Sequence, residues 1–372
     1  MHKRYFDRIK YGGAKVSIKE YFLLVITDKV DGFFVRILKC FLWVVSIVYG
    51  FLASTVCAFY EKGILKVNRL NRKVISVGNI TLGGVGKTPL VEVIARELRA
   101  NKKKPVILNR GYKDSISNDE SQAKDEARML ERALEDVPVL VGANRFENAK
   151  RYLKTDDADV FILDDGFQRW RLHRDLNIVC IDAMNPWGNG FLIPRGFLRE
   201  KLGSLKRADM FVITKADLGA KNVNGIIDKL AGINPKADIV KAIHSPVGFT
   251  DLRTGQKKET VSINEKRIIT FCGIGDPRSF VEILEILGAN IIKSDNFIDH
   301  HVYDKRDIAR IQDQDSCSRT NIIVTTQKDA VKIEGMLDLF DESLTVLSLD
   351  VGLQFIEGKE KIFERIDNLL QS

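Results

Sequence analysis

The five cysteines of this 372-residue chain, Cys40, Cys57, Cys180, Cys272 and Cys317, stand far apart, and no two share the C-x-x-C spacing of a metal knuckle. A disulfide framework and a zinc site are therefore excluded as organising features, and a reducing compartment fits best. No internal repeat, low-complexity tract or nucleic-acid-binding motif is present. Charge is missing altogether from one long stretch, Cys40 to Tyr60, "CFLWVVSIVYGFLASTVCAFY".

Around these absences the composition is that of a folded protein, with 45% apolar and 29% charged residues and enough length for two domains. The formal net charge of +8 and the sequence pI of about 9.1 suit an anionic partner: nucleotide, anionic lipid or nucleic acid. A solvated basic surface accounts for the same numbers.

The uncharged stretch has the length of a helix that crosses a bilayer core, about 30 Å. Arg36 and Lys39 precede it; Glu61, Lys62 and Lys66 follow; Trp43, Phe59 and Tyr60 sit towards its ends, where amphipathic rings favour the interface. Ser46, Gly50 and Ser54 fall at i, i+4 and i+8, a small-residue face fit to pack on another helix or on a soluble domain. A cleaved signal peptide does not fit, because the run starts late and is too long. Membrane attachment is expected, with a buried core helix as the alternative. Basic residues on both flanks leave orientation and depth of insertion open. Residues 1–32 are basic and partly apolar and form an N-terminal extension.

Strand-like runs alternate with helical ones: 73–80, 104–112, 137–145, 158–168, 176–183 and 208–217 as strands with their following loops, 89–100, 125–135 and 145–154 as helices. Such alternation predicts an α/β fold, a mainly parallel sheet with helices on both faces, with ligands beyond the carboxyl ends of the strands. A second strand–loop–helix block starts near His244. The expected domains are a membrane-associated helix over 33–62, a P-loop NTPase-like core over 63–245, a smaller α/β domain over 246–346, and a C-terminal segment over 347–372 that returns to the core.

"GGVGKT" (83–88) lies between a strand and a helix, the context a phosphate-binding loop requires. Gly83, Gly84, Val85 and Gly86 would turn backbone N–H groups onto phosphate oxygens, Lys87 would reach the β/γ-phosphates, and Thr88 would offer its hydroxyl to Mg²⁺. The strict pattern wants glycine at position 81, where this chain has Thr81. Asp164 and Asp165 end an apolar strand, the place of a metal-holding carboxylate, although an aspartate there also caps helices. "TKAD" (214–217) resembles the base-reading tetrad of GTPases with threonine in place of asparagine, and keeps a membrane-tethered GTP-binding switch open as a rival.

Further stretches join these: "RGY" (110–112), "DDGFQ" (164–168), "GNGFLIPRGFLRE" (188–200), "FCGIGDP" (271–277), "DHHVY" (299–303) and "TTQKDAVKI" (325–333). With "VGNITLGGVGKTP" (77–89) they make the sequence similar to the tetraacyldisaccharide 4′-kinases, the lipid A 4′-kinases of Gram-negative-type bacteria, from about Phe33 to the C-terminus. That family also carries threonine at the position of Thr81. The resemblance implies that ATP donates its γ-phosphoryl group to the 4′-hydroxyl of a tetraacyldisaccharide 1-phosphate, giving lipid IVA in lipopolysaccharide biosynthesis. It also implies a lipid acceptor in the cytoplasmic membrane, reached from the cytoplasmic side; no protein partner is evident in the sequence, and nucleic-acid binding has no supporting motif. An acid–histidine pair is attributed to the family and maps to Asp125 in "KDEA" and His300 in "DHH". Asp299 is placed to orient His300. The family has Gly-Asp-Glu where this chain has Lys124-Asp125-Glu126, and Glu where it has Gln327. Arg110, Tyr112, Arg145, Gln168, Arg199 and Glu200 fall in matched motifs expected near the acceptor, where arginine forks suit a sugar phosphate. A catalytically dead scaffold would need broken motifs, and Lys87, Thr88, Asp164 and His300 are intact.

Overall fold

The parallel strands near the middle of the sheet are predominantly apolar, and alternate side chains point to opposite faces of the sheet. In β1 (Lys73–Asn79), Ile75 and Val77 join one core and Val74 another; in β4 (Val160–Asp164), Val160 and Ile162 divide from Phe161 and Leu163 in the same way. A computed structural model describes residues 18–110, 127–134, 136–275, 277–298, 301–313 and 320–372. Its sheet also contains β2 (Pro105–Asn109), β3 (Val139–Val141), β5 (Leu176–Asp182), β6 (Met210–Thr214), β7 (Asp238–Asp251), β8 (Lys257–Lys258), β9 (Arg267–Cys272), β10 (Asn290–Asn296), β11 (Ile322–Thr326) and β12 (Thr345–Glu357). The order is β10-β9-β11-β12-β7-β6-β5-β1-β4-β2-β3, with β8 on β7. All pairs are parallel except β12/β7 and β7/β8.

The helices cover both faces. Helices α1 (Ile18–Ile26) and α2 (Phe33–Glu61) precede the sheet, and α3 (Lys87–Ala100) follows β1. In α3, Leu90, Val91, Ile94, Ala95 and Leu98 form one buried stripe, joined by Leu130 and Leu134 from the segment 127–134 and by Ile362 and Ile366 of the C-terminal helix Lys359–Gln371. Ala149 of the helix Arg145–Tyr152 packs on the opposite face. The block beyond β7 repeats the scheme, with Phe280 and Leu284 on one side and Ile308, Ile311 and Ile333 on the other. The antiparallel pairing of β7 with β12 makes one sheet of the two blocks.

By compactness the chain divides into 1–58 with 187–201, and 59–186 with 202–372. In the first unit α2 has 29 residues, about 44 Å of helix. It is the helix among the described residues long and apolar enough to cross a membrane, with a mean hydropathy of 2.0. Only 17% of its most apolar window is buried. Val35, Leu42, Ser46 and Gly50 are its buried face, while Phe34, Phe41, Ile47, Val48 and Phe51 are exposed. The small-residue face packs on the 187–201 segment. A Cβ on Gly50 would meet Leu192 Cδ1 at 2.5 Å, so the helix lies close against the segment there and a larger residue would require the Leu192 side chain to shift. The Ser46 hydroxyl lies 2.8 Å from both the Leu42 and Leu192 carbonyls and accepts from the Arg195 N–H at 3.0 Å. Arg195 in turn forks onto Asp28 at 2.8 and 3.1 Å.

Candidate functional site

The phosphate loop leaves β1 and enters α3 through Gly86, the residue preceding the helix, at φ 82° and ψ 22°. Its last part is held from the neighbouring strands. The Thr214 hydroxyl, at the end of β6, donates to the Val85 carbonyl at 2.9 Å, and Val85 itself is 3% exposed. A Cβ on Gly86 would meet His244 Nε2 at 2.8 Å and Thr214 Cγ2 at 3.3 Å. At Gly83 and Gly84, by contrast, an added Cβ would have nothing within 4 Å. The loop is therefore gripped on one side and open on the other, as backbone donors to phosphate require. Thr81 is 5% exposed and is not among the positive-φ residues, so glycine is unnecessary there; its carbonyl accepts from the Asn79 side chain.

Lys87 and Thr88 are the first residues of α3 and are half-buried. Lys87 Nζ stands 3.6 Å from Asp165 Oδ1. Asp165 has φ 51°, a left-handed backbone that aspartate tolerates better than most residues. Asp164 is 1% exposed at the carboxyl end of β4; its Oδ2 accepts from Asn109 Nδ2 at 3.0 Å and its carbonyl from Arg145 Nη2 at 2.7 Å. Gln168 Nε2 donates to the Asn79 carbonyl at 2.8 Å, fastening the acidic loop to the end of β1. Arg145 is 4% exposed, and burial pulls its pKa down to about 10. Arg169 and Arg110 push in the same direction, while Asp165 and Asp164 oppose. It stays charged at neutral pH, so cationic and carboxylate groups share one small volume beside the loop. Cys180, fully buried under the same strands, has its thiol pushed up to about 12 by burial and is inert as a nucleophile.

The expected residues Gly83, Gly84, Val85, Gly86, Lys87, Thr88, Asp164, Asp165, Arg145 and Gln168 thus lie around the carboxyl ends of β1 and β4, and Arg110 directly follows β2. Arg199 and Glu200 belong to the first unit, where the Tyr49 hydroxyl donates to the Arg199 carbonyl at 2.9 Å and Glu200 is 9% exposed. Tyr112, Asp125, Asp299 and His300 lie outside the described residues. The helical segment 127–133 starts two residues after Asp125. Arg128, Glu131 and Arg132 of that segment face Val331, Lys332, Glu334 and Gly335 across a cleft of about 620 Å³. Arg132 and Glu334 form an ion pair.

Three supporting residues went unnoticed in the sequence. Asn109 is an ordinary strand end there, and its role depends on β2 lying beside β4. His244 is a lone histidine on a strand; burial, and Lys215 nearby, push its imidazole down to about 4. Asp182 holds Lys215 Nζ at 2.8 Å, so the lysine of "TKAD" is committed to an ion pair. Thr214 was visible as the first residue of that tetrad, and its contact is to the phosphate loop.

A family model for tetraacyldisaccharide-1-P 4′-kinase matches residues 38–371. A tetraacyldisaccharide 4′-kinase from Halothermothrix orenii is 37% identical over 348 residues, 85% of this chain and 90% of its own length. One from Syntrophus aciditrophicus is 36% identical over 330 residues, 83% of this chain and 86% of its own. Among solved structures, LpxK from Aquifex aeolicus in complex with ATP is similar with a TM-score of 0.69 and 28% identity, covering 90% of this chain and 99% of that one. With a P-loop site of this geometry and a match over nearly its whole length, the chain belongs to the tetraacyldisaccharide 4′-kinase family.

Proposed function

We propose that the protein is an ATP-dependent lipid kinase that phosphorylates the 4′-hydroxyl of a tetraacyldisaccharide 1-phosphate, the product being lipid IVA. The observation that carries this most directly is the phosphate loop, with Lys87 3.6 Å from Asp165 at its mouth, in a chain whose relatives are named for this reaction. The solved relative holds ATP, which supports ATP as the donor.

Phosphoryl transfer asks a protein for positioning and charge neutralisation more than for covalent chemistry. Open backbone N–H groups at 83–86 and the start of α3 receive the triphosphate. Lys87, held now by Asp165, turns to the β/γ-phosphates. Thr88, Asp164 and Asp165 are hard oxygen donors suited to Mg²⁺, which takes one or two carboxylates and shares the rest of its shell with phosphate and water. When bound, the ion neutralises phosphate charge. Arg110, Tyr112, Arg145 and Gln168, with Arg199 and Glu200 on the 187–201 segment, are assigned to the sugar-phosphate acceptor. Asp125, with His300 supported by Asp299, is assigned to taking the 4′-hydroxyl proton. Helix α2 is assigned to the cytoplasmic face of the inner membrane, where the acceptor resides; its exposed apolar side and the basic residues around it suit an anionic lipid surface.

Purified protein in mixed micelles, given labelled ATP and tetraacyldisaccharide 1-phosphate, should produce a bisphosphorylated lipid. Lys87→Ala and Asp125→Ala should each abolish transfer while the protein stays folded. Near-wild-type transfer in either variant, or turnover of GTP in preference to ATP, overturns the assignment.

A further inference from the structure

A small cavity of about 150 Å³ lies where the last residues of α2 meet the segment that follows the acidic loop, and it shares no residue with the phosphate-loop site. Tyr60, Glu61, Val67, Trp170, His173 and Arg174 are on its wall. That wall is held from behind. The Asn68 N–H donates to the Arg171 carbonyl and the His173 N–H to the Asn68 carbonyl, each at 2.8 Å, which ties the chain after α2 to the segment 171–173. Arg174 Nη1 donates to the Phe167 carbonyl at 2.7 Å and the Gly166 carbonyl at 3.0 Å. His173 Nε2 stands 3.5 Å from Asp175 Oδ1, and the other oxygen of that carboxylate accepts from the Val74 N–H of β1 at 2.8 Å. The Tyr60 and Trp170 rings are nearly parallel, with planes at 13° and centroids 6.3 Å apart. The cavity is therefore formed by the fold itself, as ligand sites usually are.

Charge and polarity around it select a class of ligand. Lys62, Lys66, Arg69 and Arg171 stand exposed on the same two segments, and with Arg174 they make the surround positive. The guanidiniums of Arg207 and Arg174 already lie 3.8 and 5.4 Å from the Trp170 ring centroid, so an ammonium ligand would meet two cations there. Glu61 is the acid on the wall. A carboxylate accepts hydrogen bonds from hydroxyl groups and repels a second carboxylate. Phe59 and Ile64 are 41% and 63% exposed, and the Ile64 N–H donates to the Phe59 carbonyl at 2.9 Å, so an apolar pair stands beside the basic residues. Tyrosine and tryptophan rings beside apolar and basic side chains belong at the depth of lipid headgroups. The volume admits one small headgroup and is too small for an acylated disaccharide.

We infer that this cavity binds the headgroup of an anionic phospholipid that ends in hydroxyl groups, a phosphatidylglycerol-type lipid. Arg174 and His173 face its phosphate, and Glu61 and Tyr60 its hydroxyls. The lipid is bound there without being phosphorylated, so the site is separate from that of the acceptor. This rests on the membrane attachment proposed above. A phosphatidylserine headgroup carries the same net charge but brings a carboxylate to Glu61 and an ammonium to the arginines. A phosphatidylcholine headgroup has no hydroxyl to donate and no net negative charge. Diffuse attraction to the basic surround would not tell the two anionic lipids apart, and the cavity should.

The test holds the full-length chain in neutral detergent micelles and titrates it by calorimetry with short-chain phosphatidylglycerol, phosphatidylserine and phosphatidylcholine, and with inorganic phosphate. Phosphatidylglycerol should bind about tenfold tighter than the other three, the worth of one charge-assisted hydrogen bond. Val67→Trp, which fills the cavity, should weaken that binding by about tenfold and leave acceptor KM and affinity for an ATP analogue within about twofold of wild type. Glu61→Gln, a change at an exposed side chain, should bring phosphatidylserine towards phosphatidylglycerol. The double variant Lys62→Gln/Lys66→Gln should weaken both anionic lipids alike and keep their ratio. Equal binding of the two anionic lipids by the wild-type protein, or unchanged phosphatidylglycerol binding in Val67→Trp, overturns the inference. A raised acceptor KM in Val67→Trp also overturns it and makes the cavity part of the acceptor site. Inorganic phosphate bound as tightly as phosphatidylglycerol overturns the lipid as its ligand. Failure of the wild-type protein to phosphorylate the acceptor, with selective phosphatidylglycerol binding intact, would instead strike at the kinase assignment.

Discussion

Three glycines in one short loop should respond differently to the same added methyl group. Gly84 has no positive φ and an open surround, so Gly84→Ala should change stability by no more than about 0.5 kcal/mol. Gly83 has φ 114° with nothing near its missing Cβ, so Gly83→Ala carries backbone strain alone, roughly 1–2 kcal/mol. Gly86 combines φ 82° with a Cβ position 2.8 Å from His244 Nε2 and 3.3 Å from Thr214 Cγ2. Adding roughly 1–3 kcal/mol of overpacking to the strain, Gly86→Ala should lose about 2–5 kcal/mol. The assay is denaturant unfolding without nucleotide, repeated with saturating ATP analogue. The expected order of loss is Gly86→Ala, then Gly83→Ala, then Gly84→Ala. In the double variant Gly86→Ala/His244→Ala the overpacking should vanish and the strain persist, giving a favourable coupling of about 1 kcal/mol or more. Equal destabilisation by Gly84→Ala and Gly86→Ala, or strict additivity in the double variant, would refute the loop geometry.

His244 makes stability depend on pH. Its folded pKa of about 4 lies below the unfolded value of 6.5, so the unfolded chain binds the proton more readily. Its contribution is whole above pH 6.5 and falls away as the pH drops towards 4, by up to about 3 kcal/mol. His244→Gln should flatten that slope in denaturant midpoints taken at about pH 7.5 and about pH 5, and parallel slopes would show that the ring is not held neutral. Ser46→Ala should leave the Arg195 N–H without its acceptor and cost about 1–3 kcal/mol, read as faster proteolysis within 187–201; unchanged cleavage would deny that anchor. Asp329→Asn, which takes the charge from a fully buried carboxylate paired with the largely buried Lys332, should cost about 3–5 kcal/mol in thermal or denaturant unfolding, and a wild-type midpoint would mean that the carboxylate is not buried in solution.

The sequence exposed those parts of the architecture whose signal is local. The apolar runs of β1, β4, β5 and β6 and the stripe on α3 are contiguous patterns, and the glycine cluster before Lys87 announces its chemistry because strand, loop and helix follow one another directly. The position of Asp164 and Asp165 at the carboxyl end of β4 was legible for the same reason. What stayed hidden depends on strand order. Asn109 supports Asp164 only because β2 lies beside β4, and His244 reaches Gly86 only because β7 lies next to β6, relations spanning 55 and 158 residues of chain that no periodicity encodes. The small-residue face of α2 was legible as a face, but its partner, the 187–201 segment, lies 146 residues away in the Ser46–Leu192 contact.

The same distinction explains why one departure from the strict P-loop pattern is harmless. The first glycine of that pattern is a local signature, yet a glycine is required only where φ is positive or space is missing. Residue 81 meets neither condition: its backbone is not left-handed, and its threonine side chain is buried with the carbonyl satisfied by Asn79. Gly86 meets both, through its φ of 82° and the ring of His244. The constraint on this loop therefore lies at its helix end, where β6 and β7 press against it. Thr81→Gly should leave nucleotide affinity unchanged and stability lower by about 1 kcal/mol, because it loosens the unfolded chain and removes a buried side chain without relieving any strain. A gain in nucleotide affinity in that variant, measured by calorimetry, would place the constraint at the strand end instead.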